Sequence, residues 1–190
     1  TFFDFDGDTD LDMFLVNSPS NNLQQKVIYS KSQFPEFVSD KLFRNDGNHF
    51  TDVTRSSGVT SQSFGLGVIA QDLNHDGFTD LYVANDYEKP DLYYINNGDG
   101  TFNNKLDQNF KHIANTAMGV DAGDIDNDAL LDLCVLDMQS ESHLRSKTNM
   151  PSMSTSEFFK LVSNGYNYQY MSNVLQKNNG AGFFADVAQL

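Results

Sequence analysis

The chain has 190 residues, a formal net charge of −14 and a single cysteine. Twelve Lys and Arg stand against 26 Asp and Glu, so no basic stripe is available for the phosphates of a nucleic acid. One cysteine makes no disulfide framework, and no apolar run is long enough to span a bilayer.

In chain order, the first element is an acidic loop, Asp4-Phe-Asp6-Gly-Asp8-Thr-Asp-Leu-Asp12, followed by the apolar run Met13-Phe-Leu-Val16. Leu42-Phe-Arg-Asn-Asp-Gly-Asn-His-Phe50 then reads as strand, Gly turn and strand, a hairpin signal. Phe64-Gly-Leu-Gly-Val-Ile-Ala70 is a strand whose glycines permit close backbone approach. The acidic loop returns as Asp72-Leu-Asn74-His-Asp76-Gly-Phe-Thr-Asp80, with Leu81-Tyr-Val-Ala84 behind it and a second hairpin over Leu92–Phe102. Met118-Gly-Val-Asp-Ala-Gly123 precedes the third copy, Asp124-Ile-Asp126-Asn-Asp128-Ala-Leu-Leu-Asp132, and Leu133-Cys-Val-Leu136 follows it. Cys134, inside that apolar run, is expected to be a small core filler.

Residues 138–173 interrupt the repeat as an insertion before the last hairpin, Val174–Phe184. Ser154-Thr-Ser-Glu157 has capping-box spacing, and Phe158, Phe159, Leu161 and Val162 follow, which predicts a helix near 155–163 stopped at Gly165. Tyr166, Tyr168 and Tyr170 alternate, so an extended backbone would place them on one side. They are candidate partner-binding residues for a protein or glycan, set against the more ordinary reading that they staple the insertion onto the propeller face. Met150, Met153 and Met171 suit adaptable packing or a sticky surface.

Each acidic loop places oxygen side chains at positions 1, 3, 5 and 9. Asp, Asn and Gly are ordinary turn residues, because they bond their own amides and accept left-handed backbone. Three copies sharing the fourth oxygen point beyond a turn, to a hard cation that takes six to eight oxygens in a flexible cage. The candidate ligands are Asp4, Asp6, Asp8 and Asp12; Asp72, Asn74, Asp76 and Asp80; and Asp124, Asp126, Asp128 and Asp132. Up to three Ca²⁺, one per loop, would bring the formal charge from −14 to −8. An EF-hand is rejected: its position 12 needs a bidentate Glu, and here that position is Leu15, Val83 or Val135. Position 6 is Gly77 in the second loop but Thr9 and Ala129 in the others. A β-branched residue resists positive φ, so the first loop is expected to have altered geometry or to turn elsewhere. The second loop is expected to be the most secure site. His75, between ligands, is expected to face solvent.

Strand, acidic loop, strand, connection, strand, Gly turn, strand is a unit of four antiparallel strands. Repeats near 1–59, 60–117 and 118–190 make an all-β chain of about three four-stranded propeller blades with a small helical insertion. Three blades cannot close a ring, so the chain is expected to be part of a longer polypeptide whose other blades are its first partners. No metalloprotease, nucleophile-elbow, Walker or Cys-x-x-Cys motif occurs, and His49, His75, His112 and His143 are scattered, so no catalytic role is expected.

These residues resemble the FG-GAP (VCBS) repeats of integrin α-subunit propellers. Phe64-Gly-Leu-Gly-Val, Leu81-Tyr-Val-Ala-Asn-Asp-Tyr87, Ile95-Asn-Asn-Gly-Asp-Gly-Thr-Phe102, Met118-Gly-Val120 and Gly165-Tyr-Asn-Tyr-Gln-Tyr-Met-Ser-Asn-Val-Leu-Gln176 are similar to bacterial FG-GAP/VCBS proteins related to cartilage acidic protein, which often carry an ASPIC/UnbV region. The resemblance implies a calcium-loaded β-propeller, usually seven-bladed, secreted or displayed at the cell surface, with outer-membrane association in a Gram-negative bacterium. It implies no single activity; the expected function is a calcium-binding module for protein or glycan binding or scaffolding. The alternative is a non-catalytic domain of a larger secreted enzyme or of an outer-membrane uptake or secretion complex.

Overall fold

The computed structural model describes residues 1–18, 39–61, 64–86, 89–140, 142, 144–145, 155–180 and 182–188. The first sheet runs in chain order through β1 (Phe2–Phe3), β2 (Asp12–Leu15), β3 (Lys41–Asn45) and β4 (Phe50–Asp52). The second repeats the order with β5 (Gly65–Gln71), β6 (Asp80–Asn85), β7 (Leu92–Asn96) and β8 (Phe102–Asn104). A short helix α1 (Leu106–Asn109) and β9 (Ile113–Ala114) lead to the third, built from β10 (Ala117–Gly123), β11 (Asp132–Asp137), β13 (Val174–Asn178) and β14 (Phe184–Asp186). Between β11 and β13 lie helix α2 (Thr155–Ser163) and β12 (Gln169–Tyr170), which pairs in parallel with β9. Every pairing inside the three four-stranded sheets is antiparallel. These are propeller blades, and among the described residues they close no ring.

Alternation along the second strand of each sheet joins the blades. β6 is buried on both faces. Leu81 and Val83 pack with Phe3, Phe5, Phe14 and Leu42 of the first blade, whereas Tyr82 and Ala84 pack with Leu133, Val135, Val174 and Phe184 of the third. In β11 only one face is covered: Leu133 and Val135 are buried, while Leu136 is 53% exposed and Cys134 is also exposed. Cys134 is therefore not core filler. Its position matches Tyr82, so it lies on the face turned away from the second blade. Tyr93 and Phe110 meet edge-on at 5.4 Å, and Phe110 stacks on Phe184 at 4.5 Å, sealing the junction of the second and third blades.

The glycines of Phe64-Gly-Leu-Gly67 have distinct reasons. A Cβ on Gly65 would lie 2.3 Å from Val16 Cγ1 in the preceding blade, and one on Gly67 would press on Gly119 Cα of the next inner strand at 3.4 Å. Register shifts fall between Gly65 and Gly67 and, at the matching place, between Ala117 and Gly119.

Helix α2 lies where the apolar spacing predicts it. Its end is a Schellman turn: Gly165 has φ +83°, its amide donates to Val162 O at 3.0 Å, and Tyr166 N donates to Leu161 O at 3.1 Å. Ser154, Met150, Met153, Tyr87 and His143 lie outside the described residues, as does the side chain of Glu157.

Candidate functional site

The three acidic loops have one backbone trace. Position 4 takes positive φ in each, at Gly7 (79°), His75 (64°) and Asn127 (61°). So does position 6, at Thr9 (76°), Gly77 (91°) and Ala129 (69°). The expectation that Thr9 forces the first turn elsewhere is therefore overturned. The same two hydrogen bonds impose the turn every time. The position-6 amide donates to the position-1 carboxylate, from Thr9 to Asp4 at 2.9 Å, Gly77 to Asp72 at 2.9 Å and Ala129 to Asp124 at 3.0 Å. The position-7 amide donates to position 5, from Asp10 to Asp8 at 3.0 Å, Phe78 to Asp76 at 2.9 Å and Leu130 to Asp128 at 2.9 Å. His75 is exposed, as its position between ligands predicts.

Carboxylate oxygens of Asp4, Asp6 and Asp8 lie within 4.8 Å of one another, and so do those of Asp124, Asp126 and Asp128. In the second loop Asn74 takes the middle place, and its Nδ2 donates to Asp76 Oδ2 at 2.8 Å. The position-9 aspartates stand apart from these triads. Asp12, Asp80 and Asp132 are buried, with both oxygens accepting main-chain amides. Asp12 accepts from Phe5 and Asn45 at 3.0 and 2.9 Å, Asp80 from Leu73 and Asn96 at 3.2 and 2.9 Å, and Asp132 from Ile125 and Asn178 at 3.0 and 2.7 Å. Each thus ties the start of its loop to the hairpin two strands on. Each such oxygen keeps a second lone pair.

The electrostatics of the loops differ. Burial together with the neighbouring Asp8, Asp12 and Asp4 pushes the Asp6 carboxyl above its ordinary range. Burial pushes Asp80 up to about 7, with Asp76 and Asp72 adding to it. In the third loop the ammonium of Lys177 contacts Asp126, lies 3.9 Å from Asp128, and holds Asp126 below the ordinary range. A positive charge therefore already lies beside two of the three carboxylates of that triad. An all-oxygen donor set with three carboxylates within 4.8 Å of one another, as in the first and third loops, has the chemistry to hold a hard metal ion.

The sequence reading missed the asparagine that opens each hairpin. Asn45, Asn96 and Asn178 each accept from a turn glycine, Gly47, Gly98 or Gly180, at 3.0 Å. Asn96 Nδ2 also reaches Phe5 O at 2.8 Å in the preceding loop, and Asn178 Nδ2 reaches Leu73 O at 2.8 Å. Among the described residues Asn45 donates only within its own blade, to Leu11 O at 3.2 Å. A second staple was missed as well. Asp40, Asp91 and Asn173 accept the amides of Asn17, Asn85 and Asp137 at 2.8 Å, closing the far end of each second strand. The signal in the sequence is an Asp or Asn one residue before each hairpin strand.

The tyrosines of the insertion divide. Tyr168 and Tyr170 are 48% and 45% exposed and share the ring of Phe158, at 6.0 and 5.7 Å. Tyr166 is half-buried beneath Lys89, whose Nζ lies 3.1 Å from its hydroxyl.

A family model described as an FG-GAP-like repeat matches residues 4–83 and again 72–135. Each match spans two successive acidic loops. No curated protein matches the chain significantly.

Proposed function

The chain belongs to the FG-GAP-like repeat family, and from that premise we propose that it is a calcium-stabilised β-propeller module that binds protein or glycan ligands outside the cell or at its surface. The observation that carries this reading is the loop trace, which holds position 6 at positive φ even where the residue is Thr9 or Ala129. Left-handed backbone at such residues costs about 1–2 kcal/mol each. A bound cation gives that cost a purpose, because it needs the position-1, -3 and -5 oxygens to converge.

Asp4, Asp6 and Asp8, then Asp72, Asn74 and Asp76, then Asp124, Asp126 and Asp128 are the proposed first ligands. Asp12, Asp80 and Asp132 are the proposed fourth ligands, through the lone pairs that their amide hydrogen bonds leave free. Ca²⁺ would neutralise each loop and lock its two flanking strands. Extracellular modules of this kind bind at about 10⁻⁴–10⁻³ M, which suits external calcium and supports placement outside the cytosol, with outer-membrane association as the expected setting. Each blade counts as one repeat, near 1–59, 60–117 and 118–190, with 138–173 inserted in the last. Further blades of the same polypeptide are its nearest partners. Ile125, at loop position 2, is 50% exposed, whereas its counterparts Phe5 and Leu73 are 4% and 1% exposed beneath the following blade. No helix among the described residues is long and apolar enough to cross a membrane.

The test is capture from a native surface extract with the intact polypeptide as bait, in millimolar calcium and again in chelator. A partner retained only in calcium supports the surface module. No partner in either condition favours the second reading, a non-catalytic domain serving an enzyme or an outer-membrane assembly.

A further inference from the structure

We propose that the groove at the junction of the second and third blades binds a neutral oligosaccharide. This deepens the surface-module reading, and rests on it, by assigning a site and a ligand class.

Two adjoining cavities form the groove, of about 760 Å³ and 280 Å³. They share Asp107, Gly165 and Asn167 in their walls. The larger lies within the size range of small-ligand sites. Its floor is the Phe110–Phe184 stack, both rings buried and parallel to within 5°. Phe183, 56% exposed, and Tyr168, 48% exposed, also line it. Helix α1 forms one side, fixed to the hairpin by Asn109 Nδ2 donating to Gly182 O. A Cβ on Gly182 would come within 2.9 Å of that amide nitrogen, so the glycine sets the width of the wall.

The lining chemistry selects the ligand. A sugar ring offers C–H faces and a rim of hydroxyls, each both donor and acceptor. Aromatic rings supply apolar area at low entropic cost to meet the faces. The carboxamides of Gln108, Asn109 and Asn167 can both donate and accept, as the rim requires. Two carboxylates, Asp91 and Asp107, and two ammoniums, Lys89 and Lys111, leave the walls without a dominant sign. A polyanionic sugar would face that balanced wall on a chain of net charge −14 and is disfavoured. Two adjoining cavities that share a wall call for more than one ring. Because α1, the insertion turn and the third-blade hairpin build the groove between two neighbouring blades, it does not lie on either outer blade face.

The probes are maltohexaose, cellohexaose, chitohexaose and mannohexaose, their disaccharides, and a galacturonate hexamer. Each is titrated calorimetrically into the full chain in millimolar calcium. At least one neutral hexamer is expected to bind, more tightly than its disaccharide and than the galacturonate. Phe183→Ala and Asn167→Ala are each expected to weaken it about tenfold. Phe159→Ala, at a 62% exposed ring on α2 that lines neither cavity, should bind like the parent. No binding by any neutral hexamer, unchanged binding by Phe183→Ala, or equal binding of galacturonate overturns the proposal. Calcium-dependent melting of the same samples separates the two claims. A chain that calcium stabilises but that binds no sugar rejects the groove alone; a chain indifferent to calcium rejects the module reading.

Discussion

Thr9 and Lys177 hold the most informative conflicts between residue type and position. Thr9 at φ +76° pays a steric penalty that glycine would not, offset in part by the extra freedom glycine gives the unfolded chain. Thr9→Gly is expected to gain about 1 kcal/mol, seen by calorimetry as a melting point raised by a few degrees in calcium and in chelator alike. Ala129→Gly should gain less, because alanine is not β-branched. Lys177 answers a different problem. Its ammonium lies against Asp126 and 3.9 Å from Asp128, so it relieves carboxylate repulsion and would compete with calcium for the same oxygens. Lys177→Gln should lower the melting point in chelator and enlarge the rise on adding calcium. A variant whose calcium response matches the parent's would show that the lysine does not reach the site in solution.

The acidic loops, the hairpins and helix α2 were legible in the sequence because each is encoded locally. Side-chain oxygens at alternate positions, Asn-Gly turns and 3.6-residue spacing require no knowledge of the neighbouring strand. The staples were not legible, because their acceptors are distant. Asn96 meets Phe5 and Asn178 meets Leu73 only once the blades stand side by side. Cys134 was misjudged for the same reason, since its strand is apolar on both faces but covered on one. The staples rank the asparagines. Asn96→Ala and Asn178→Ala orphan buried groups within and between blades and should each cost about 2 kcal/mol in denaturant unfolding, with Asn45→Ala costing about half as much. Equal losses at all three positions would mean that the inter-blade bond contributes nothing.

The second blade packs against both the others, and its second strand is buried on both faces; buried carboxylates there and in the first blade are displaced from their ordinary range. Burial raises the Asp91 carboxyl to about 7 and Asp40 to about 6, from an ordinary 3.8. Neither lies in an acidic loop. Between about pH 4 and 7 the folded chain holds protons there that the unfolded chain has lost, so these groups make stability fall as pH rises through that window. In chelator, melting should therefore rise as pH drops from 7.5 to 5.5, and Asp91→Asn should flatten that slope. In calcium the trend should be opposed, because acid also protonates the loop carboxylates and releases the metal. If external calcium is about ten times its dissociation constant, linkage gives roughly 1.4 kcal/mol per site, or about 4 kcal/mol over three sites. That is a large share of an ordinary domain stability of about 5–15 kcal/mol. The most direct measurement is calcium titration of the chelator-stripped chain, with heat of binding and melting point followed together, for the parent and for Asp76→Ala. The expected result is up to three ions bound and a melting point raised by several degrees, with one ion and part of that rise lost in Asp76→Ala. A parent that binds no calcium, or an Asp76→Ala variant that melts with the parent in calcium, would contradict the loops as metal sites.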